Sequence, residues 1–526
     1  MAAVSALAMG AGAMGTGAQA QDLTLAVGAP VTSLDPHFHQ LSPNNAVASM
    51  IFDQLTHNDA RSRLVPGLAA EWRPVALDTW EFKLRSGVRF HNGSELTAED
   101  VAFTFQRVPN VPNSPASFAP YVRPIKAVEI VDAHTLRLRT DGPYPLLPLD
   151  LSNIRILDRE THQDATTEDF NSGKAAIGTG PWRMVLHRNG DRIEFERNEN
   201  YWGDRPAFAR VNYRMITNDA ARTAALLAGD VELIDQVPTS DIAKLRQDQR
   251  LTLSETTSTR VIYLSLDHSR EGATPFVTDN DGKPITPNPL KDVRVRRALS
   301  IAIDRPAIVE RVMEQSATPT GQFLSAGAFG HVSEIPAPRP DPEGAKRLLA
   351  EAGFPNGFRI SLHGPNDRYP NDGRIIQAIG QMWSRIGLRT TVEAQPWTTY
   401  VARAGRQEFS AFLMGWGITG NEASHPLRNL VATASRETGF GASNRGRYSN
   451  PQLDSLLTQG LREMDDAKRE QILQDATRVA MQDVGIIPLH IQKNIWAMRR
   501  HLAHEARADE LTRAQDVRPA TAAAAR

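Results

Sequence analysis

The chain has 526 residues, with 59 Lys and Arg against 60 Asp and Glu, 41% hydrophobic residues and no cysteine. The lack of cysteine excludes disulfides, thiolate metal sites, cysteine nucleophiles and a lipid-bearing cysteine. Balanced charge gives no basic surface for nucleic acid or anionic membrane, and the length exceeds what one hydrophobic core serves, so two or three domains are expected.

Met1 to Ala20 carries no charged side chain, is rich in Ala and Gly, and ends in Ala18-Gln19-Ala20. A small-x-small site behind an apolar stretch reads as a secretory signal peptide over residues 1–20, although the usual positive start is missing. The stretch is too weakly hydrophobic to serve as a membrane anchor. An exported protein, soluble in the periplasm, is the expectation.

Further along, Trp80, Phe82 and Leu84 alternate with charged residues, as a half-buried strand requires. Thr97 is placed to cap a helix with Glu99 and Asp100 at its positive end and Val101, Phe105 and Val108 on one face. Leu136 and Leu138, then Ile193 and Phe195, mark strands. Asn218 opens a helix that Gly229 closes, and Val261 to Leu266 reads as a buried strand. From Asp267 to Leu290 the composition turns to Gly, Pro, Asn and Asp, which suggests a loop or a crossing between domains.

Beyond it, Asp341-Pro342 starts a helix that ends at Gly353, and Ile375, Ile376, Ile379, Met382, Trp383 and Ile386 form a clear helical stripe stopping at Gly387. Thr390 to Val392 reads as a strand, a helix follows near Tyr400, and Ala411 to Met414 is a further apolar run. Alternation of helix and strand implies a mixed α/β chain whose second half is a sheet with crossover helices. The Ala-rich, polar tail after Asp509 is expected to fray.

No Gly-x-Ser-x-Gly elbow, His-Glu-x-x-His, Walker loop or dinucleotide fingerprint is present. Gly178-Thr179-Gly180-Pro181 is a turn and not a phosphate loop, because no Lys-Ser or Lys-Thr helix opens from it. Nothing therefore marks a catalytic residue, a metal or a cofactor. His37 and His39 stand two apart, but two histidines without a third ligand seldom hold a metal.

Several blocks carry a resemblance: Leu64-Val65-Pro66-Gly67-Leu68-Ala69-Ala70-Glu71-Trp72, Asp78 to Phe90, Asp100 to Thr104, Gly178 to Trp182, Arg197 to Pro206, Val293 to Arg305, Ala345 to Phe354, and Gly415-Trp416-Gly417. In this order they resemble the family 5 extracellular solute-binding proteins, the peptide- and nickel-type receptors of ABC importers. The resemblance implies a two-lobed, type II periplasmic-binding-protein-like α/β fold with an extra subdomain in the first lobe. The expected division is a first lobe over 21–268 with an inserted subdomain at about 60–177, a second lobe over 269–489, and a return to the first lobe over 490–526. It also implies a monomer that closes on a peptide-like solute and presents it to ABC importer permease subunits in the inner membrane. A peptide-binding chaperone, or a receptor for an oligosaccharide, opine or metal chelate, are the alternatives.

In dipeptide-type relatives an aspartate shortly after the Gly-Trp motif pairs with the ligand's amino terminus. Ungapped comparison puts Thr419 there, and a neutral hydroxyl cannot replace an ion pair, so simple dipeptides are disfavoured. Glu422, three residues on, is the candidate substitute, with a solvated loop glutamate as the alternative. The arginine that meets the ligand carboxylate in those relatives matches Asn366, with Arg368 two residues on; a planar guanidinium suits a carboxylate. Trp416 and Gly417 are expected to form the floor and His37 and His39 to line the cleft; Trp397 is a candidate to reach it and Tyr400 with it, with core packing as the favoured alternative for both. Arg445 and Arg447 are candidates for an anionic ligand.

Overall fold

Two long strands, Leu251–Leu266 and Ile487–Arg499, run antiparallel through the middle of the molecule. The structure is a computed structural model that describes residues 22–520; the expected signal peptide lies outside the described residues. Among the described residues the long pair is the spine of a 12-stranded sheet. On one side follow Ala411–Gly417, Arg359–Pro365 and Val277–Thr278. On the other follow Leu233–Ile234, Leu23–Val27, Arg210–Met215, Arg192–Arg197 and Trp182–Arg188.

The two halves of the spine pack into different cores, and this produces the two lobes. Leu251, Ile495 and Ala497 pack with Leu226 and Ile242, and Trp496 and Met498 pack with Leu23, Trp182 and Tyr213. Ile262, Leu264, Leu266, Ile487 and Leu489 pack instead with Ile375, Ile379 and Trp383. Between them the register slips from Thr257 to Val261, a bulge that puts Ser258, Thr259 and Arg260 at the crossing. The crossing was expected in the polar stretch from Asp267 to Leu290. It lies earlier, inside a continuous strand, because hydrogen bonding to the partner strand carries the chain from one lobe to the other.

A separate 4-stranded sheet, formed by Ala69–Ala76, Thr79–Leu84, Thr135–Thr140 and Ile125–Asp132, builds the inserted unit. Helix Ala98–Arg107 covers it, with the Asp100 carboxylate accepting the Thr97 N–H at 2.8 Å. The chain returns to the first lobe at Gly178-Thr179-Gly180. A Cβ at Gly178 would lie 2.0 Å from the Ile51 carbonyl oxygen, so only glycine fits there. Thr179 Oγ1 and Trp202 Nε1 both donate to the buried Asp53 carboxylate, at 2.9 and 2.8 Å. The turn is a scaffold joint.

The expected helices form over Asp219–Ala228, Pro342–Glu351, Asp372–Arg385 and Trp397–Gly405. The tail corrects an expectation. Residues after Asp509 are docked as far as 520: Ala514 and Val517 are core residues, and Val517–Pro519 pairs with Leu502–His504. Trp496 Nε1 donates to Thr512 Oγ1 at 2.9 Å, and Thr512 donates to Asp235 at 3.0 Å. Composition reads this segment as loose, but two buried hydrogen bonds and an apolar face fix it.

Candidate ligand-binding cleft

The bulge in the spine, the strand Ala411–Gly417 and the docked tail surround a cavity of about 510 Å³ between the lobes. Thr259 and Arg260 lie at its back, Gly415, Trp416 and Gly417 along one wall, and Asp509 and Glu510 opposite. The glycines on either side of Trp416 leave room for neighbouring side chains. A Cβ at Gly415 would lie 2.7 Å from the Tyr369 ring, and one at Gly417 would lie 3.3 Å from Arg260 Nη2. Trp416 donates from Nε1 to His425 Nδ1 at 3.2 Å, which fixes the indole plane.

The lining is electrostatically lopsided: seven arginines against two carboxylates. Arg260 is satisfied by Glu510, with Nε and Nη2 at 2.6 and 2.8 Å from its two oxygens. Burial raises the Glu510 pKa, but the Arg260 guanidinium outweighs this and the net direction is down. Arg507 pairs with Asp509, and Arg513 pairs with Asp516 behind the wall. Arg428 lies beside Asp150, a carboxylate that Tyr144 also contacts at 2.6 Å and that burial pushes up to about 6.

Arg155, Arg368 and Arg445 make no ion pair among the described residues. Arg155 is only 3% exposed and donates to the carbonyls of Asn153 and Asn45, while its Nε has no partner. Burial, then the neighbouring Arg513, lowers its pKa to about 10, so it remains a cation. The Arg368 guanidinium faces the rings of Tyr369 and Trp397 at 5.2 and 5.6 Å. Burial, then Arg260, disfavours its charge. His57, also in the lining, is held at about 3 by burial and then by Arg513, so it is neutral at physiological pH. Unpaired guanidiniums in a shared cavity repel one another and favour an anion that can accept from them.

Of the residues expected at the site, Trp416, Gly417, Arg368, Trp397 and Arg445 line the cavity. Thr419 opens the short turn Thr419–Asn421 between Ile418 and Gly420, both of which line it. Tyr400 is buried behind, donating to the Leu413 carbonyl at 2.6 Å. Four positions differ from expectation. Arg447 is exposed outside the lining, at a positive φ of 57°. His37 is fully buried because the Asp35–Arg107 pair at 2.7 Å pulls its turn inward, where His37 Nε2 meets the Arg155 carbonyl at 2.8 Å. His39 contacts Thr32 instead of the cavity. Glu422 points to a different chamber and is held by Arg469 Nη1 at 2.6 Å.

That last pair makes a prediction. Both partners are buried, so Glu422→Gln should lower stability by about 2–3 kcal/mol, because Arg469 keeps only the exposed Asp466 as its carboxylate. Urea unfolding should show this loss, with recovery when Arg469→Met is added. A loss of solute affinity with unchanged stability would instead return Glu422 to the binding site.

Arg155, Arg260, Arg507, Arg513 and Glu510 were not legible as site residues. They are scattered through the chain, and none sits in a motif.

Two lobes enclosing a deep, charged cavity define a binding protein of the solute-receptor class. The chain belongs to the bacterial extracellular solute-binding proteins, family 5, whose middle region matches residues 63–437. It is 28% identical to heme-binding protein A of Haemophilus influenzae, over 85% of this chain and 82% of that protein. It is 27% identical to the glutathione-binding protein GsiB of Pectobacterium atrosepticum, over 92% of this chain and 91% of that one. The fold matches that of the periplasmic binding protein DppA from Helicobacter pylori in complex with peptide STSA, with a TM-score of 0.78, 22% identity, and coverage of 95% and 98%. No helix among the described residues is long and apolar enough to cross a membrane.

Proposed function

We propose that this protein is the periplasmic substrate-binding component of an ABC importer, and that its solute is peptide-like and carries at least two carboxylates. The observation that carries this reading is the set of three guanidiniums without an ion pair around one cavity. Arg155 comes from the first-lobe side, and Arg368 and Arg445 come from the second. An anion bridging them gains most when the lobes come together, so differential affinity drives closure. The relatives named for glutathione and heme fit this reading, since both compounds carry two carboxylates. The protein works as a monomer, performs no chemistry on the solute and passes it to the permease.

A thermal-shift series tests the charge requirement, because bound solute raises the melting temperature by mass action. Glutathione and tripeptides with an acidic side chain should raise it, and the same compounds with amidated carboxylates should not. An equal response to the amidated set, or hits confined to neutral oligosaccharides, would contradict the reading.

A further inference from the structure

A second chamber of about 470 Å³ adjoins the first, and Ser62 and Gly420 line both. Its walls come from two bodies. The inserted unit supplies Trp72, Trp80 and Leu149, and the second lobe supplies Phe329, Met464 and Arg469. Leu149 packs against Gly420, where a Cβ would lie 2.2 Å from Leu149 Cδ1, so the two chambers meet on the Ser62 side.

The chamber is not simply apolar. Ser62 is 3% exposed and Arg469 is 7% exposed, yet Ser62 Oγ and Arg469 Nε have no hydrogen-bond partner. Arg469 spends its other nitrogens on Glu422 and Asp466 and lies over the Phe329 ring at 4.2 Å. Buried donors left unmade cost free energy, so two of them beside aromatic walls describe a site that a carbonyl and a ring would complete.

We infer that this chamber is a second subsite for the distal end of the same solute: an aromatic group carried on an amide. The ring would lie between Trp72 and Phe329, and the amide oxygen would accept from Arg469 Nε and Ser62 Oγ. The solute is then longer than a dipeptide and passes Ser62, with its carboxylates in the arginine-lined cavity. This deepens the proposed function and rests on it for the rest of the ligand.

The test uses the full chain labelled with 5-fluorotryptophan, whose eight signals are assigned from single Trp→Phe variants. The probe is N-acetylphenylalanine amide, which has no charge for the arginines to hold. Saturable shifts should appear at Trp72 and Trp80. Their apparent Kd should weaken at least tenfold in Phe329→Ala and in the chamber-filling Leu149→Trp, and hold in Trp416→Ala. Unchanged Trp182 and Trp496 signals certify that the variants are folded. Shifts confined to Trp397 and Trp416, or no shift, overturn the subsite. Probe binding at Trp72 without any dicarboxylate binding in the first cavity would remove the proposed function and leave the chamber standing; the reverse result would remove only the chamber.

Discussion

Acidification from pH 7 to pH 5 is expected to destabilise this protein strongly, with unfolding that takes up several protons. Seven histidines are buried deeply enough to resist protonation: His37, His57, His268, His425 and His490 are held at about 3, and His91 and His504 at about 4. Burial is the largest cause for every one of them. In the unfolded chain each titrates near 6.5. Below that pH the unfolded state gains protons that the native state refuses, so stability is lost from about pH 6.5 down toward the native values.

The slope is about 1.4 kcal/mol per pH unit for each proton, or about 2 kcal/mol per histidine between pH 7 and 5. Asp150 works the other way. Its pKa is raised to about 6, so the native state protonates first and recovers about 1 kcal/mol over the same range. Three such histidines already amount to a large part of a typical domain's stability of roughly 5–15 kcal/mol. His490 illustrates the cause, since neither of its ring nitrogens has a partner. Urea unfolding at pH 7, 6 and 5, with proton uptake measured by calorimetry in buffers of different ionisation heat, checks this. A flat midpoint across the range would refute it.

Arg368→Gln should separate binding from stability. In the proposed complex Arg368 donates a charge-assisted hydrogen bond to a solute carboxylate, worth about 1.5–3 kcal/mol. Affinity for the best dicarboxylate should therefore fall by about 10- to 150-fold. The free protein should melt close to wild type, because relief of repulsion from Arg260 offsets the lost ring contacts to Tyr369 and Trp397. Calorimetric titration and a melting curve on one preparation read both quantities. A lower melting temperature with intact affinity would make Arg368 a structural residue.

The elements most legible from sequence were those whose side chains report their own surroundings. The Ile375 to Ile386 stripe and the Trp80-Phe82-Leu84 alternation each face one core, so their period is clean. The first half of the long strand, Leu251 to Arg260, escaped because Thr and Ser fill it and its faces are only half buried. Its β-branched content was the available signal. The Gly-Trp-Gly wall and Arg368 came through resemblance to the family. Arg445 stands out from its loop alone, but the other cavity charges do not, because burial and pairing depend on partners far away in sequence, as where Arg260 meets Glu510. Glu422 reads as a candidate ligand anchor in the sequence because nothing local marks its distant partner Arg469.

The order of strands in the first lobe also governs when the molecule can finish folding. Leu23–Val27 sits between Arg210–Met215 and Leu233–Ile234, and the latter is held in turn by Ile487–Arg499. Among the described residues the first strand therefore shares a sheet with one of the last. A polypeptide delivered from its N-terminus carries an unfinished first lobe until almost the whole length has emerged, since the seat beside Leu233–Ile234 stays empty. The first-lobe sheet is therefore complete only once Leu23–Val27 and Ile487–Arg499 are both in place beside Leu233–Ile234.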